Sequence, residues 1–180
     1  RESFAKYAAA LTIKPDKHET LYNWGNALDA MARRTDDAAG QRRLFGEAIA
    51  KYEAALAIKP DKHEALGNWG NALLAMARRT DDAAEQRRLF GEAIAKYEAA
   101  LAIKPDKQEA LYNWGNALDA MAERTNDAAE RRRLIGEAIA KYDAALAIKP
   151  DMLEALVNRG NALAAMAERA DDAAEQRRLF

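Results

Sequence analysis

Four prolines, Pro15, Pro60, Pro105 and Pro150, stand 45 residues apart in a chain of 180 residues. Each lies in a near-copy of one stretch, which reads KPDKHEALGNWGNAL at 59–73 and returns at 14–28, 104–118 and 149–163. Self-similarity at a fixed period of this size marks an array of repeats, because one such unit cannot bury its apolar face alone and must pack on its neighbours. The period implies a single array over residues 1–180. It begins with a lone second-type helix at 1–14 and continues with full units at 15–59, 60–104 and 105–149. At 150–180 it ends in a first-type helix followed by the truncated start of a second.

Within a unit the pattern reads as two helices. Proline lacks the N–H and clashes with the turn before it, so Pro15 cannot continue a preceding helix. Asp16 then serves as N-cap, and Glu19 completes a D-x-x-E form of the capping box. The first helix is expected over Lys17–Arg34, with Leu21, Trp24, Leu28 and Met31 on one arc, flanked by Gly25 and Ala32. Arg33 and Arg34 suit the negative end of its dipole. The segment Thr35-Asp36-Asp37 breaks the chain, and Thr35 or Asp36 caps the next helix. That second helix, over Asp37–Ile58, carries Ala38, Phe45, Ala48, Ile49, Tyr52, Ala55 and Leu56 on its stripe, with Gln41 as a polar intruder. Gly46, Gly91 and Gly136 fall inside second helices, where glycine costs roughly 1 kcal/mol against alanine. Close helix approach explains them, and a kink is the alternative.

Composition narrows the function. A chain 49% hydrophobic and 32% charged is not a disordered one. A net charge of −1 argues against nucleic-acid binding, which needs a basic surplus to displace counterions. There is no cysteine for a disulfide or thiolate site, and no apolar run reaches the roughly 18 residues of a membrane span. His18 and His63 have no partner at metal-ligand spacing and read as solvated helix-start residues. The arginine runs Arg42-Arg43, Arg87-Arg88, Arg131–Arg133 and Arg177-Arg178 are interleaved with acids, as on a solvated face. No nucleophile–base arrangement, phosphate loop or dinucleotide fingerprint occurs. The expectation is a protein that is not an enzyme and takes no cofactor or metal. With no signal-peptide pattern at its start, the expected location is cytoplasmic.

Leu21, Trp24, Gly25 and Leu28 in the first helix, then Ala48, Tyr52, Ala55 and Pro60 around the second, resemble the tetratricopeptide repeat in residue type and order. The resemblance runs through all four units. It departs in length, since that repeat has about 34 residues and this one 45, the added residues reading as longer helices. The resemblance implies an all-α, right-handed superhelical solenoid of helix-turn-helix units, used as a protein-interaction scaffold. It also implies that the first helices line a concave groove.

On that groove the arc opposite the core stripe places Glu19, Tyr22, Asn26 and Arg33, then Asn71 and Arg78, then Tyr112 and Asn116, then Asn161 and Glu168. These, save Glu168, are the expected contacts for a protein or peptide partner. Tyrosine is favoured at binding surfaces, and each asparagine amide can bond a peptide backbone or an adjacent repeat. Members of the family that grip a C-terminal carboxylate carry lysine or arginine where this chain has Tyr22, Glu109 and Asn113. Trp24, Trp69 and Trp114 read as core, with Arg159 in their place in the last unit. The half-units at the two ends leave complementary faces, so the alternative is a self-assembling module whose copies join head to tail or swap terminal helices.

Overall fold

The computed structural model describes residues 17–179, with side chains as far as Ala167, and Lys6, Tyr7, Ala9 and Thr12 of the preceding segment. Along 17–179 run seven helices: α1 His18–Arg33, α2 Ala38–Ile58, α3 His63–Ala77, α4 Ala83–Ile103, α5 Gln108–Arg124, α6 Ala128–Ile148 and α7 Leu153–Leu179. No strand occurs among the described residues. The helix expected before residue 14, the Pro15–Asp16 start of α1, and the side chains of Glu168, Arg177 and Arg178 lie outside them. The chain divides into two compact units, Arg1–Pro105 and Asp106–Phe180. In the first, α1 pairs with α2, α3 pairs with α4, and α2 packs on α3. In the second, α5 pairs with α6, and α6 packs on α7.

Second-type helices start at an aspartate, but one residue later than Asp36. Asp37 accepts a hydrogen bond from Gly40 N at 2.6 Å, Asp82 from Ala84 N and Glu85 N at 2.9 and 3.1 Å, and Asp127 from Ala129 N and Glu130 N at 2.9 and 3.2 Å. Each has the extended backbone that aims a short acceptor at orphan amides. Thr35 instead donates its hydroxyl to Met31 O at 2.8 Å. First-type helices form no capping box. Their N-cap residues are Lys17, Lys62 and Lys107, without a side-chain cap, because the turn after proline carries the aspartate one position too early.

The core is built on tyrosine against glycine. Tyr52, Tyr97 and Tyr142 are completely buried, and a Cβ on Gly25, Gly70 or Gly115 would lie 2.5–2.6 Å from their respective Cε1 atoms. Helix approach is therefore close at the first-helix glycines. A Cβ added at Gly46 or Gly91 would meet nothing within 4 Å, and one at Gly136 would meet only the end of Met166 at 3.6 Å. The expectation that these three mark close contacts is corrected; they face outward from unbroken helices.

The stripe on the second helices is also shifted. Gln41 is buried, with Leu44 and Phe45 beside it, while Ala38 is exposed. Gln41 Nε2 donates to Ala32 O at 2.9 Å, and Gln86 Nε2 donates to Ala77 O at the same distance. Gln86 satisfies a carbonyl left over at the end of the first helix, and Gln41 adds to the bond that Ala32 O accepts from Thr35 N at 3.1 Å. Arg131, at the equivalent position, reaches Ala122 O at 3.0 Å. The polar intruder is thus a bridge between the two helices of a unit. Met31, placed on the core arc by periodicity, is 42% exposed at the end of α1.

The last helix runs unbroken through residues 170–172, where the repeat pattern places a turn. Ala170 stands where the other units have Thr35, Thr80 and Thr125. Alanine is the strongest helix former and offers no hydroxyl to compete with the helical backbone.

Candidate partner-binding face

In the first unit, Tyr22 and Asn26 lie one turn apart on α1, and Asn68 meets both from α3. Asn68 Nδ2 donates to Asn26 Oδ1 at 2.8 Å and to Tyr22 Oη at 3.2 Å. Tyr52 Oη donates to the same Asn26 oxygen at 3.0 Å. One amide oxygen thus ties a hairpin together and links it to the next. Burial pushes the Tyr52 phenol well above its ordinary pKa, helped by the charge of Asp29, so it stays a proton donor. Asn71 accepts from Tyr97 Oη at 2.9 Å in the same way.

The second unit repeats the arrangement. Asn158 Nδ2 donates to Asn116 Oδ1 at 2.8 Å and to Tyr112 Oη at 3.3 Å. Tyr142 Oη donates to Asn116 Oδ1 at 2.9 Å and to Asp119 Oδ2 at 2.6 Å. Burial raises the pKa of Asp119; the Tyr142 hydrogen bond opposes the shift, and Glu123 adds to it. Asn161 lies on α7 and is exposed.

Tyr22 and Tyr112 are half-buried rather than standing free. Lys62 lies over the Tyr22 ring, its Nζ 4.5 Å from the centroid, and donates to Glu19 Oε1 at 2.8 Å. The Lys62 side chain is 7% exposed and Glu19 58%, so the pair runs from the interior to solvent. That bond holds the Glu19 carboxyl below its ordinary pKa. Arg33 is engaged by Asp29 through bonds of 2.7 and 3.1 Å, and Arg78 is exposed at the C-cap of α3. Structure thus joins Glu19, Tyr22 and Asn26 into one network and Tyr112 with Asn116 into another, while Arg33, Arg78 and Asn161 lie outside these bonds.

Asn68, Asn158, Lys62 and Asp119 belong to these networks and were not singled out by the sequence. The recurrence of asparagine at 23, 68, 113 and 158 was the available signal. The tryptophans are half-buried, with Lys51, Lys96 and Lys141 placed 4.1, 3.6 and 3.5 Å from the ring centroids of Trp24, Trp69 and Trp114. Arg159 pairs with Asp143 instead. His18 and His63 are also half-buried, each with an Nδ1 that has no hydrogen-bond partner among the described residues, which corrects their reading as solvated. No described helix is long and apolar enough to cross a membrane.

Two overlapping segments, residues 38–93 and 69–134, match the family model described as "Plant specific mitochondrial import receptor subunit TOM20". Together they span more than half of the chain. The chain belongs to this family of tetratricopeptide-like repeats. Solved structures agree on the fold of this tetratricopeptide-repeat chain. MamA is 20% identical, with 92% of this chain and 74% of that one covered at a TM-score of 0.65. The first TPR of Spaghetti (RPAP3), bound to HSP90 peptide SRMEEVD, is 17% identical over 81% of this chain and 95% of its own, at 0.56. The first TPR domain of human RPAP3 is 17% identical over 82% and 96%, at 0.57. No curated protein matches the chain in sequence. Over its described residues the chain is all-helical, with the fold of these tetratricopeptide-repeat proteins.

Proposed function

We propose that this chain is a scaffold that binds a peptide or protein partner on the faces of the first-type helices within each of its two units. The contacts assigned are Glu19, Tyr22, Asn26, Arg33, Asn71 and Arg78 in one unit and Tyr112, Asn116 and Asn161 in the other. One observation carries the reading. The fold uses the oxygen of Asn26 and of Asn116, yet among the described residues their amide nitrogens have no partner and are not buried. Each leaves two N–H donors for the carbonyls of an extended chain. The RPAP3 domain, with its bound peptide, and the import-receptor description of the matched family support a partner of this kind.

Asn26→Asp and Asn116→Asp keep the accepting oxygen and remove the donors. Against a peptide selected from a displayed random library, each should weaken binding about fivefold with helicity unchanged. Equal affinity in both variants rejects the assignment.

A second reading, contact with another copy, is favoured by α7. There Leu153, Leu156, Val157 and Leu163 are 67%, 47%, 51% and 40% exposed. Light scattering over a wide concentration range tests it, and a monomer throughout removes it.

A further inference from the structure

A cavity of about 250 Å³ opens in the first unit between the start of α2 and the segment joining α3 to α4. Ala38, Ala39, Phe45 and Met76 supply its apolar lining, and Arg42 and Arg79 its basic groups. Phe45 is 1% exposed and closes the inner side. The volume falls below the roughly 300 Å³ at which pockets begin to enclose a whole small molecule, and it suits one side chain. Arg42 is held by Glu85 at 2.9 Å, whereas the Arg79 guanidinium has no ion-pair or hydrogen-bond partner among the described residues. An unpaired guanidinium presents a fork of donors matched to a carboxylate. Asp81 shares the lining and repels an acid on its own side, so a carboxylate must approach from the side of Arg79.

We propose that this cavity is a docking site for one large apolar side chain of a peptide segment whose neighbouring residue is acidic. It is separate from the first-helix face and does not depend on it. The apolar side chain leaves water against Ala38, Ala39 and Met76, and the adjacent carboxylate pairs with Arg79.

The test uses the full chain and labelled octapeptides of glycine and serine carrying one leucine next to one glutamate, read by fluorescence anisotropy. Binding should saturate. Replacing the leucine by alanine should weaken it about tenfold or more, and replacing the glutamate by glutamine about threefold. Ala39→Phe, which fills the cavity, should abolish binding. Arg79→Glu, an exposed change that leaves the core intact, should weaken it about tenfold. Asn26→Asp should leave it unchanged, whatever that variant does at the first-helix face. Leucine and alanine peptides that bind alike, or affinity untouched by Arg79→Glu, overturn the proposal. Loss in Asn26→Asp without loss in Arg79→Glu overturns it too, by moving the peptide to the other face.

Discussion

Tyr52 lies with its ring edge against the bare Cα of Gly25, and its hydroxyl donates to Asn26, the residue next along the same helix. A glycine–asparagine pair is thus a receptor for a tyrosine, with room for the ring at one residue and an acceptor for the hydroxyl at the next. Gly70-Asn71 receives Tyr97, and Gly115-Asn116 receives Tyr142.

Glycines in the two helix types should respond to alanine in opposite directions. At Gly70 a Cβ would sit 2.6 Å from Cε1 of a buried tyrosine that has nowhere to retreat. Gly70→Ala should destabilise by about 2 kcal/mol, overpacking outweighing the gain in helix propensity. Gly91 faces open space, and Gly91→Ala should stabilise by about 0.5–1 kcal/mol. Urea denaturation of both variants gives the comparison, and the same sign in both would contradict the receptor geometry.

The buried glutamine of the second helix should tolerate another donor but not its loss. Gln86→Leu leaves the carbonyls of Ala77 and Thr80 unpaired and should cost about 1–2 kcal/mol. Gln86→Arg copies what Arg131 does in the next repeat and should fall within about 0.5 kcal/mol of the parent. Thermal unfolding separates the two outcomes.

Removing one partner of the Glu19–Lys62 pair should hurt more than removing the interior charge. Glu19→Gln leaves a lysine with a 7% exposed side chain without its carboxylate, and stability should fall by about 1 kcal/mol. Lys62→Met, which copies Met152 in the last repeat, should be neutral or stabilising. The pH dependence follows from the lowered pKa of Glu19. Its stabilisation is present above the ordinary carboxylate range and is lost as pH falls through the folded-state value. Denaturation curves at neutral and acid pH should show a larger loss in the parent than in Glu19→Gln, which keeps the acid losses of Glu85 and Glu109.

Asp119 should behave with the opposite sign. Burial raises its pKa, so the folded state holds the proton more tightly than the unfolded state. Its contribution is fully present below the unfolded carboxylate pKa and is lost as pH rises through the folded value. Asp119→Asn keeps an acceptor for Tyr142 and carries no charge, so it should raise the melting temperature at neutral pH and not in strong acid. A gain that does not change with pH would point to packing rather than charge.

Much of this protein was determined along the chain. The spacing of apolar residues, prolines at a fixed interval and aspartates before each second helix depend on neighbours a few positions apart, and these local relations specify helices and their ends. The order of leucine, tryptophan, glycine, tyrosine and proline likewise identified the repeat. Periodicity set Gly25 beside the core arc, but it could not show that a tyrosine lies against Gly25 and nothing against Gly46, because only contact with a second helix decides that. Nor could it show that the oxygen of Asn26 is occupied while its nitrogen is not. The partners responsible, Tyr52 and Asn68, lie 26 and 42 residues away in sequence. Such hydrogen bonds join separate helices, so only their packing in three dimensions decided which atom of Asn26 faces the fold.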